Sequence, residues 1–578
     1  MNIKPIRDLL NENGLEYPNL AVLQPTEALY TALLVQPEAH IQVRNEFIRN
    51  TDRASAHAMF DAITREAYVQ SVELLVTPEY SFPWETIEAL LQDGIAPEIG
   101  QLWVLGSESL SVAELPALKD RFSQWANVLY EQLPPGQPVT AHYLNPLIYL
   151  FRTEALDSHE PRLVMVVQFK TTPSGDPRNT EATYMARGND VYLFERGNEV
   201  RLITIICSDA FAFTNEVDAN YENLLLLHLQ FNENPRSEPF MRYRRRLYDF
   251  DSDQTEVICL NWAEKFSYDL EDGSPATTKH NISASAWHSK SRKFATDDAR
   301  VEHNHRFGLY YTRDVEQHRH MLHFSYKPAA FLLQATKARH YAVEAARSRR
   351  RGPESTRIYH WDSSTDTWED AKYPIDDGFV AMTAIYGSSA TLLDSIHAVS
   401  PLAVERISCI ASGDFGPMPD WYAAYQLPTA RMERRTEVVR RITVTQDPEG
   451  RSFRDQRIRT IKTLASIPAT DLPLPSRLED LKNGYHFEWD PDAPNCNVIS
   501  NTNSQRATLI YAGEDVLFDD LMALHARANS VVANSENRDF VCLLYREGHD
   551  IKRYDPPLTR SIMQSSTYTG KDFTEPGQ

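Results

Sequence analysis

Apolar and polar positions along the chain follow two rhythms, and the switches between them mark out the elements. Continuous apolar runs bounded by turn residues predict buried strands at "LAVLQP" (20–25), "VELLVTPE" (72–79), "LWVLGSES" (102–109) and "AHYLNPLIYLF" (141–151). The same signal recurs at "RLVMVVQF" (162–169), "LITIIC" (202–207), "ENLLLLHLQ" (222–230) and "TEVICLNWA" (255–263). Apolar residues three and four apart predict helices at 52–71, 84–93, "LKDRFSQWANVLYEQL" (118–133) and the basic "PFMRYRRRLYDFD" (239–251). Helices alternating with buried strands, then strands in succession, predict an α/β layered domain rather than a β-sandwich or a helical bundle. Strands at "HNISASAWHS" (280–289) and "RHMLHFSYKP" (319–328) close it.

The texture changes at "ATKARHYAVEAARSRRRGPES" (335–355), a basic helix ending in Gly-Pro. The chain is therefore expected to divide into a lead (1–17), a first domain (18–335), a basic linker helix (336–355), an α+β carboxy-terminal domain (356–565) and a frayed tail (566–578). A length of 578 residues exceeds what one hydrophobic core serves, which agrees with more than one domain. Within the carboxy-terminal part, "TARMERRTEVVRRITV" and "FDDLMALHARANSVV" read as helices, and "RATLIYAG" and "DFVCLLYRE" as strands.

Charge and cysteine usage narrow the function class. A net charge of −21 excludes nucleic-acid binding driven by the surface as a whole. No apolar run approaches a membrane span, and "MNIKPIRDLLNENG" holds no signal core. Five scattered cysteines without a CxxC pair fit a reducing compartment, so a cytoplasmic protein without membrane contact is expected.

Three chemistry-bearing residues stand at the ends of predicted strands: Glu79 in "LLVTPEYSFP", Lys170 in "VVQFKTTPSGDP" and Cys207 in "IICSDAF". Strand ends of an α/β domain converge on one crevice. A carboxylate can take a thiol proton, a thiolate can attack a carbonyl, and an ammonium can neutralise the oxyanion that results. Each alone has a plainer reading: a buried thiol, a turn glutamate, a solvated lysine. In this combination and order the set resembles the nitrilase, or carbon–nitrogen hydrolase, superfamily. "LAVLQP" resembles that family's first strand, "LLVTPEYSF" its glutamate motif, "YLNPLIYLF…VQFK" the strand pair leading to its lysine and "ITIICSDAF" its nucleophile elbow. The likeness runs over roughly residues 18–330.

The resemblance implies a four-layer αββα sandwich and thiol acyl transfer without a cofactor or metal. Cys207 would be the nucleophile, Glu79 the general base and acid, and Lys170 the oxyanion partner, helped by the backbone N–H of Ser208. Glu181 would position Lys170 and Glu79, with a helix-start surface residue as its plainer reading. Ser208 departs from the aromatic residue common after the family's cysteine. Asp209 reads as a structural partner of backbone amides. The expected substrate is a small amide, in preference to a nitrile, and a homodimer or larger homo-oligomer is expected. The alternative is a nitrilase-fold assembly or scaffold module; such domains accompany reverse transcriptases in some bacterial anti-phage systems.

Other signals are plainer. His303, His305, His318, His320 and His323 include an H-x-H pair that a strand would point to one face, but the spacing matches no standard metal site. His228 reads as a residue that lines or supports the pocket. The basic clusters 242–246 and 347–351 read as solvated helix faces, with a protein or nucleic-acid partner as the alternative. "LIYAGEDVLFDDL" (509–521) reads as strand–turn–helix with Glu514 or Asp515 near the helix start.

Overall fold

The computed structural model describes residues 1–175, 180–213, 223–249, 255–263, 265–271, 275–277, 285–290, 294, 296–314, 319–337, 352–371, 377–387, 391–427, 440–447, 450–533 and 537–556. The basic cluster 347–351, most of the linker, His318, most of the helix expected at 429–444 and the tail lie outside these residues. The chain is mixed α/β and forms two compact units, one from Met1–Phe379 with Ala423–Arg454, the other from Val380–Tyr422 with Asp455–Gln578.

Two large mixed sheets build the first unit. The nine-stranded sheet has at its centre Leu29–Gln36, Leu74–Val76 and Leu102–Gly106 in parallel, continued antiparallel by Pro146–Glu154 and Pro161–Phe169. The eight-stranded sheet has Arg201–Ile206, Leu224–Leu229 and Thr255–Leu260 in parallel at its centre. Parallel strands are covered on both faces, which is why "LLLLHL" can be buried at every position. Gln168 ties the two sheets together: its amide donates to Thr204 O at 2.9 Å and its oxygen accepts from Tyr192 N at 2.9 Å. Phe194 packs between Tyr149 and Phe151 across the same interface.

Helices Arg53–Val69 and Trp84–Gln92 set Phe60, Ile63, Ile87 and Leu90 against Leu33, Leu75, Trp103 and Leu105 of the nine-stranded sheet. The Asp52 side chain caps the first of them by accepting from Ser55 N. Glu238–Asp249 sets Phe240, Tyr243 and Leu247 against Ile203, Leu226 and Val257 of the eight-stranded sheet. Its basic cluster divides: Arg242 is exposed near Glu238, whereas Arg244 is buried and donates to Pro235 O at 2.8 Å. A small sheet of Ala39–Val43, Ile48–Asn50, Phe266–Asp269 and Pro275–Thr277 completes the region around the strand ends. Strands Glu354–Asp362 and Thr367–Asp370, beyond the expected boundary near 355, pair with the nine-stranded sheet through Ala329–Thr336.

Three expectations are corrected. Residues 20–25 hold no strand; Ala21–Leu23 is a single 3₁₀ turn, and the first central strand is Leu29–Gln36. Pro25 cannot donate a ladder bond, and "LYTALLVQ" supplies a longer run that pairs along its whole length with Ala329–Thr336. The helix expected over 118–133 ends at Phe122, and Asn127–Tyr130 becomes an edge strand parallel to Pro161–Phe169. Pairing with the edge of the sheet overrides helical spacing there. His303 and His305 lie on helix Asp298–Arg306, not on a strand, so a two-residue spacing points them to different sides. The helix is started by Asp297, whose side chain accepts from Arg300 N.

In the second unit a five-stranded sheet runs Tyr485–Phe487, Val498–Ser500, Arg506–Glu514, Val541–Glu547, Asp550–Arg553. Ser400 caps helix Pro401–Ser412, Pro401 starts it, and Gly413 at φ 65° ends it. Residues 506–531 are strand, turn and helix as expected, with Asp515 in the turn and Asp519 and Asp520 in the first turn of Phe518–Val531. Among the described residues no helix is long and apolar enough to cross a membrane. All five cysteines are buried and unbridged.

Candidate active site

Glu79, Lys170 and Cys207 each follow the carboxyl end of a strand, Leu74–Val76, Pro161–Phe169 and Arg201–Ile206 respectively. Close backbone packing fixes the first two. A Cβ on Gly106 would run into the Pro78 carbonyl and lie 2.9 Å from Glu79 Cα, so only glycine lets the neighbouring strand approach the glutamate turn. Tyr80 takes a left-handed φ of 59°, and Trp262 Nε1 donates to the Glu79 carbonyl at 2.8 Å, holding that turn. Gly188 N donates to Lys170 O at 2.9 Å, and a Cβ there would sit 2.5 Å from Phe169 O and 2.6 Å from Glu131 Oε1.

The side chains then meet. Lys170 Nζ donates to Glu79 Oε1 at 2.8 Å and to both Glu181 oxygens at 3.0 and 2.8 Å, with all three residues buried. The remaining acceptor capacity is taken up locally. Asn145 Nδ2 donates to Glu79 Oε1 and Phe231 N to Glu79 Oε2, each at 2.7 Å. Tyr80 OH donates to Glu181 Oε1 at 2.7 Å and Ser174 N to Glu181 Oε2 at 2.6 Å. Glu181 opens a short helix, Glu181–Tyr184, but its side chain turns inward to the lysine rather than to solvent.

Cys207 has φ 41°, the left-handed region, at the elbow between strand Arg201–Ile206 and helix Asp209–Phe213. Its N–H donates to Leu229 O at 2.7 Å, and its carbonyl accepts from His228 Nε2 at 2.9 Å. The Phe231 N–H that serves Glu79 also favours the Cys207 thiolate, against the larger effect of burial. Asp209 accepts through Oδ1 from Thr171 N, Thr171 Oγ1 and Thr172 N at 2.8–2.9 Å, tying the elbow to the turn after Lys170. Ser208 Oγ donates to Thr172 O at 2.6 Å in the same seam.

Electrostatics follow from burial and these partners. Burial pushes the Cys207 thiol well above its ordinary value; Glu79 adds to this and Lys170 partly opposes it. Burial raises Glu79 to about 7 against the pull of Lys170, with Glu181 pushing the same way as burial. For Lys170, burial works against the ammonium, but the charges of Glu181 and Glu79 outweigh it and hold it well above its ordinary value. The resting site is a neutral thiol beside a permanently cationic lysine and a carboxyl poised near neutrality. Such a set can move a proton off sulfur as a bond to carbon forms.

Asn145, Tyr80, Phe231 and Trp262 were not singled out as site residues from the sequence. Asn145 carried a signal, a lone amide inside the apolar run "YLNPLIYLF", where it interrupts Tyr143–Leu144 and Pro146–Glu154. Elsewhere, His320 lies on strand Arg319–Phe324 and accepts from or donates to Tyr311 OH at 2.8 Å. His303 contacts Ser355 O at 2.7 Å, and His323 is on the same strand as His320.

No family model matches the chain, and no curated protein matches it. Among solved structures it is similar to a glutamine-dependent NAD+ synthetase from Acinetobacter baumannii in complex with adenosine diphosphate, at 11% identity and a TM-score of 0.27, over 67% of this chain and 56% of that one. A second, from Cytophaga hutchinsonii, is also a glutamine-dependent NAD(+) synthetase, at 10% identity and a TM-score of 0.25, over 90% of this chain and 65% of that one. The chain thus spans less than two thirds of either.

Proposed function

We propose that the protein is a carbon–nitrogen hydrolase of the nitrilase kind that cleaves a small amide through a thioester on Cys207. The first compact unit would be its catalytic domain, its helix–sheet–sheet–helix packing read as the four-layer αββα sandwich. The observation that carries this reading is one buried lysine held between two buried carboxylates beside a thiol on a left-handed elbow.

Glu79 takes the Cys207 proton as sulfur attacks the amide carbon, and the oxyanion faces the Lys170 ammonium and the Ser208 N–H. Collapse breaks the C–N bond, and the leaving nitrogen takes the proton from Glu79. Water then enters, gives a proton to Glu79 and adds its oxygen to the thioester carbon. Collapse expels sulfur, which recovers the proton, leaving a carboxylic acid and the free thiol. Glu181 takes no proton in this scheme; it holds Lys170 in place and keeps it charged.

The test is product analysis over a panel of small amides and nitriles with wild type and Cys207→Ala. Release of acid together with ammonia or an amine, lost in Cys207→Ala, is the expected outcome. Turnover that survives the substitution would refute the proposal, and so would the absence of any turnover across the panel. In the latter case the scaffold reading would take its place.

A further inference from the structure

His228 is buried, titratable and unused by the steps above. It stands on the strand beside the nucleophile strand, paired with Ile205, while its neighbour Leu229 is paired with Ile206. These consecutive residues grip both backbone polar groups of Cys207: Leu229 O accepts its N–H at 2.7 Å, and His228 Nε2 contacts its carbonyl at 2.9 Å. A carbonyl only accepts, so Nε2 carries the ring proton. That leaves Nδ1 as the acceptor, with Cys259 Sγ 4.0 Å from it; Gln230 Nε2 lies 3.2 Å from Nδ1 and 3.3 Å from Nε2, so the carbonyl contact alone assigns the tautomer. Phe240 and Tyr243 pack on the ring, with centroids 6.0 and 5.3 Å away.

The Cys207 carbonyl and the Ser208 N–H belong to one peptide group. That group is planar and trans, so its oxygen and its hydrogen point in opposite directions. Whatever holds the oxygen therefore aims the hydrogen. At a left-handed residue such as Cys207, where the backbone is strained, the orientation persists only if its surroundings impose it. We infer that His228 is a positioning residue for the oxyanion site, its Nε2–H holding the Cys207 carbonyl so that the Ser208 N–H stays aimed at the reacting carbonyl oxygen. Donation to the peptide oxygen also polarises the group and strengthens its N–H as a donor. Burial pushes the imidazole down to about 3, so it keeps one proton and one role across the working range.

The inference rests on the hydrolase reading, and the experiment separates the two. p-Nitrophenyl acetate serves as acyl donor, followed by the p-nitrophenolate burst and by intact mass at Cys207. Iodoacetamide serves as an alkylator whose displacement at saturated carbon builds no oxyanion. His228→Leu is expected to slow acetylation on the order of 10²-fold while Cys207 alkylation keeps its wild-type rate. His228→Gln, which returns an amide N–H near the Nε2 position, is expected to recover most of the rate. His228→Asn, whose amide reaches only the Nδ1 position, is expected to behave as His228→Leu does, and it carries the comparison if His228→Leu fails to fold. Equal loss of acetylation and alkylation, or unchanged acetylation, overturns the positioning role. A wild type that alkylates at Cys207 but never acetylates there defeats the hydrolase reading, and the inference with it.

Discussion

Replacing Lys170 by methionine removes the cation between two buried carboxylates and keeps an unbranched side chain one atom shorter. Three hydrogen bonds of 2.8–3.0 Å are lost. Glu79 keeps Asn145 and Phe231 N, and Glu181 keeps Tyr80 and Ser174 N, so neither carboxylate is stripped of donors. What disappears is the charge. Breaking a buried pair by removing one partner costs about 3–5 kcal/mol, and two neighbouring carboxylates relieve that cost most cheaply by sharing a proton. The loss must therefore depend on pH. In the wild type Glu79 sits at about 7, above its ordinary 4.5, so its contribution to stability is fully present below about 4.5, falls as pH rises, and levels off once pH has passed 7. In Lys170→Met the shared proton is held to a higher pH, and stability keeps falling above 7 by about 1.4 kcal/mol per pH unit until it is released. The assay is urea unfolding at pH values from 5 to 9, followed by tryptophan emission. Seven of the nine tryptophans (84, 103, 125, 262, 287, 361 and 368) lie in the first compact unit, so the signal reports on it. A variant whose pH dependence above 7 matches the wild type would refute the coupling of the two carboxylates through Lys170.

Further expectations follow from the same geometry. Because Glu79 must be ionised to take the thiol proton, acylation should rise with pH through about 7 and flatten above it, as a pH–rate profile will show. Glu79→Gln should cut acylation by about 10²–10⁴-fold with the fold intact by circular dichroism. Asn145→Leu removes a donor that favours the Glu79 carboxylate, so the rising limb should move to higher pH; a downward move would contradict its role. Gly106→Ala forces the glutamate turn away from the neighbouring strand and should cost activity even where the protein remains folded, read as kcat against denaturation midpoint.

The residues that carry the proposed chemistry were legible because strand ends are legible: an apolar run stops, turn residues begin, and Glu79, Lys170 and Cys207 stand at that junction. Their supports were not. Asn145, Tyr80 and Phe231 reach Glu79 or Glu181 from 66, 101 and 152 positions away, separations that no local pattern encodes. Asp209 was readable as an amide acceptor, and it accepts two backbone N–H groups of the Lys170 turn. The misplaced first strand has a different cause. "LAVLQP" and "LYTALLVQ" both carry strand composition, and the decision is made by Ala329–Thr336, three hundred residues later, which pairs with the second. The shortened helix after Leu118 likewise yields to an edge position on the sheet, beside Pro161–Phe169. At His303 and His305 a capping aspartate at 297 marked a helix start that the histidine spacing drew attention away from.

The most direct measurement is intact-mass spectrometry of Cys207 after a brief exposure to small amides, for wild type, Glu79→Gln and Cys207→Ala. The account predicts an acyl adduct on Cys207 in the wild type that builds up far more slowly in Glu79→Gln and is absent from Cys207→Ala. An adduct that forms equally fast without Glu79, or that sits on another residue, would contradict it.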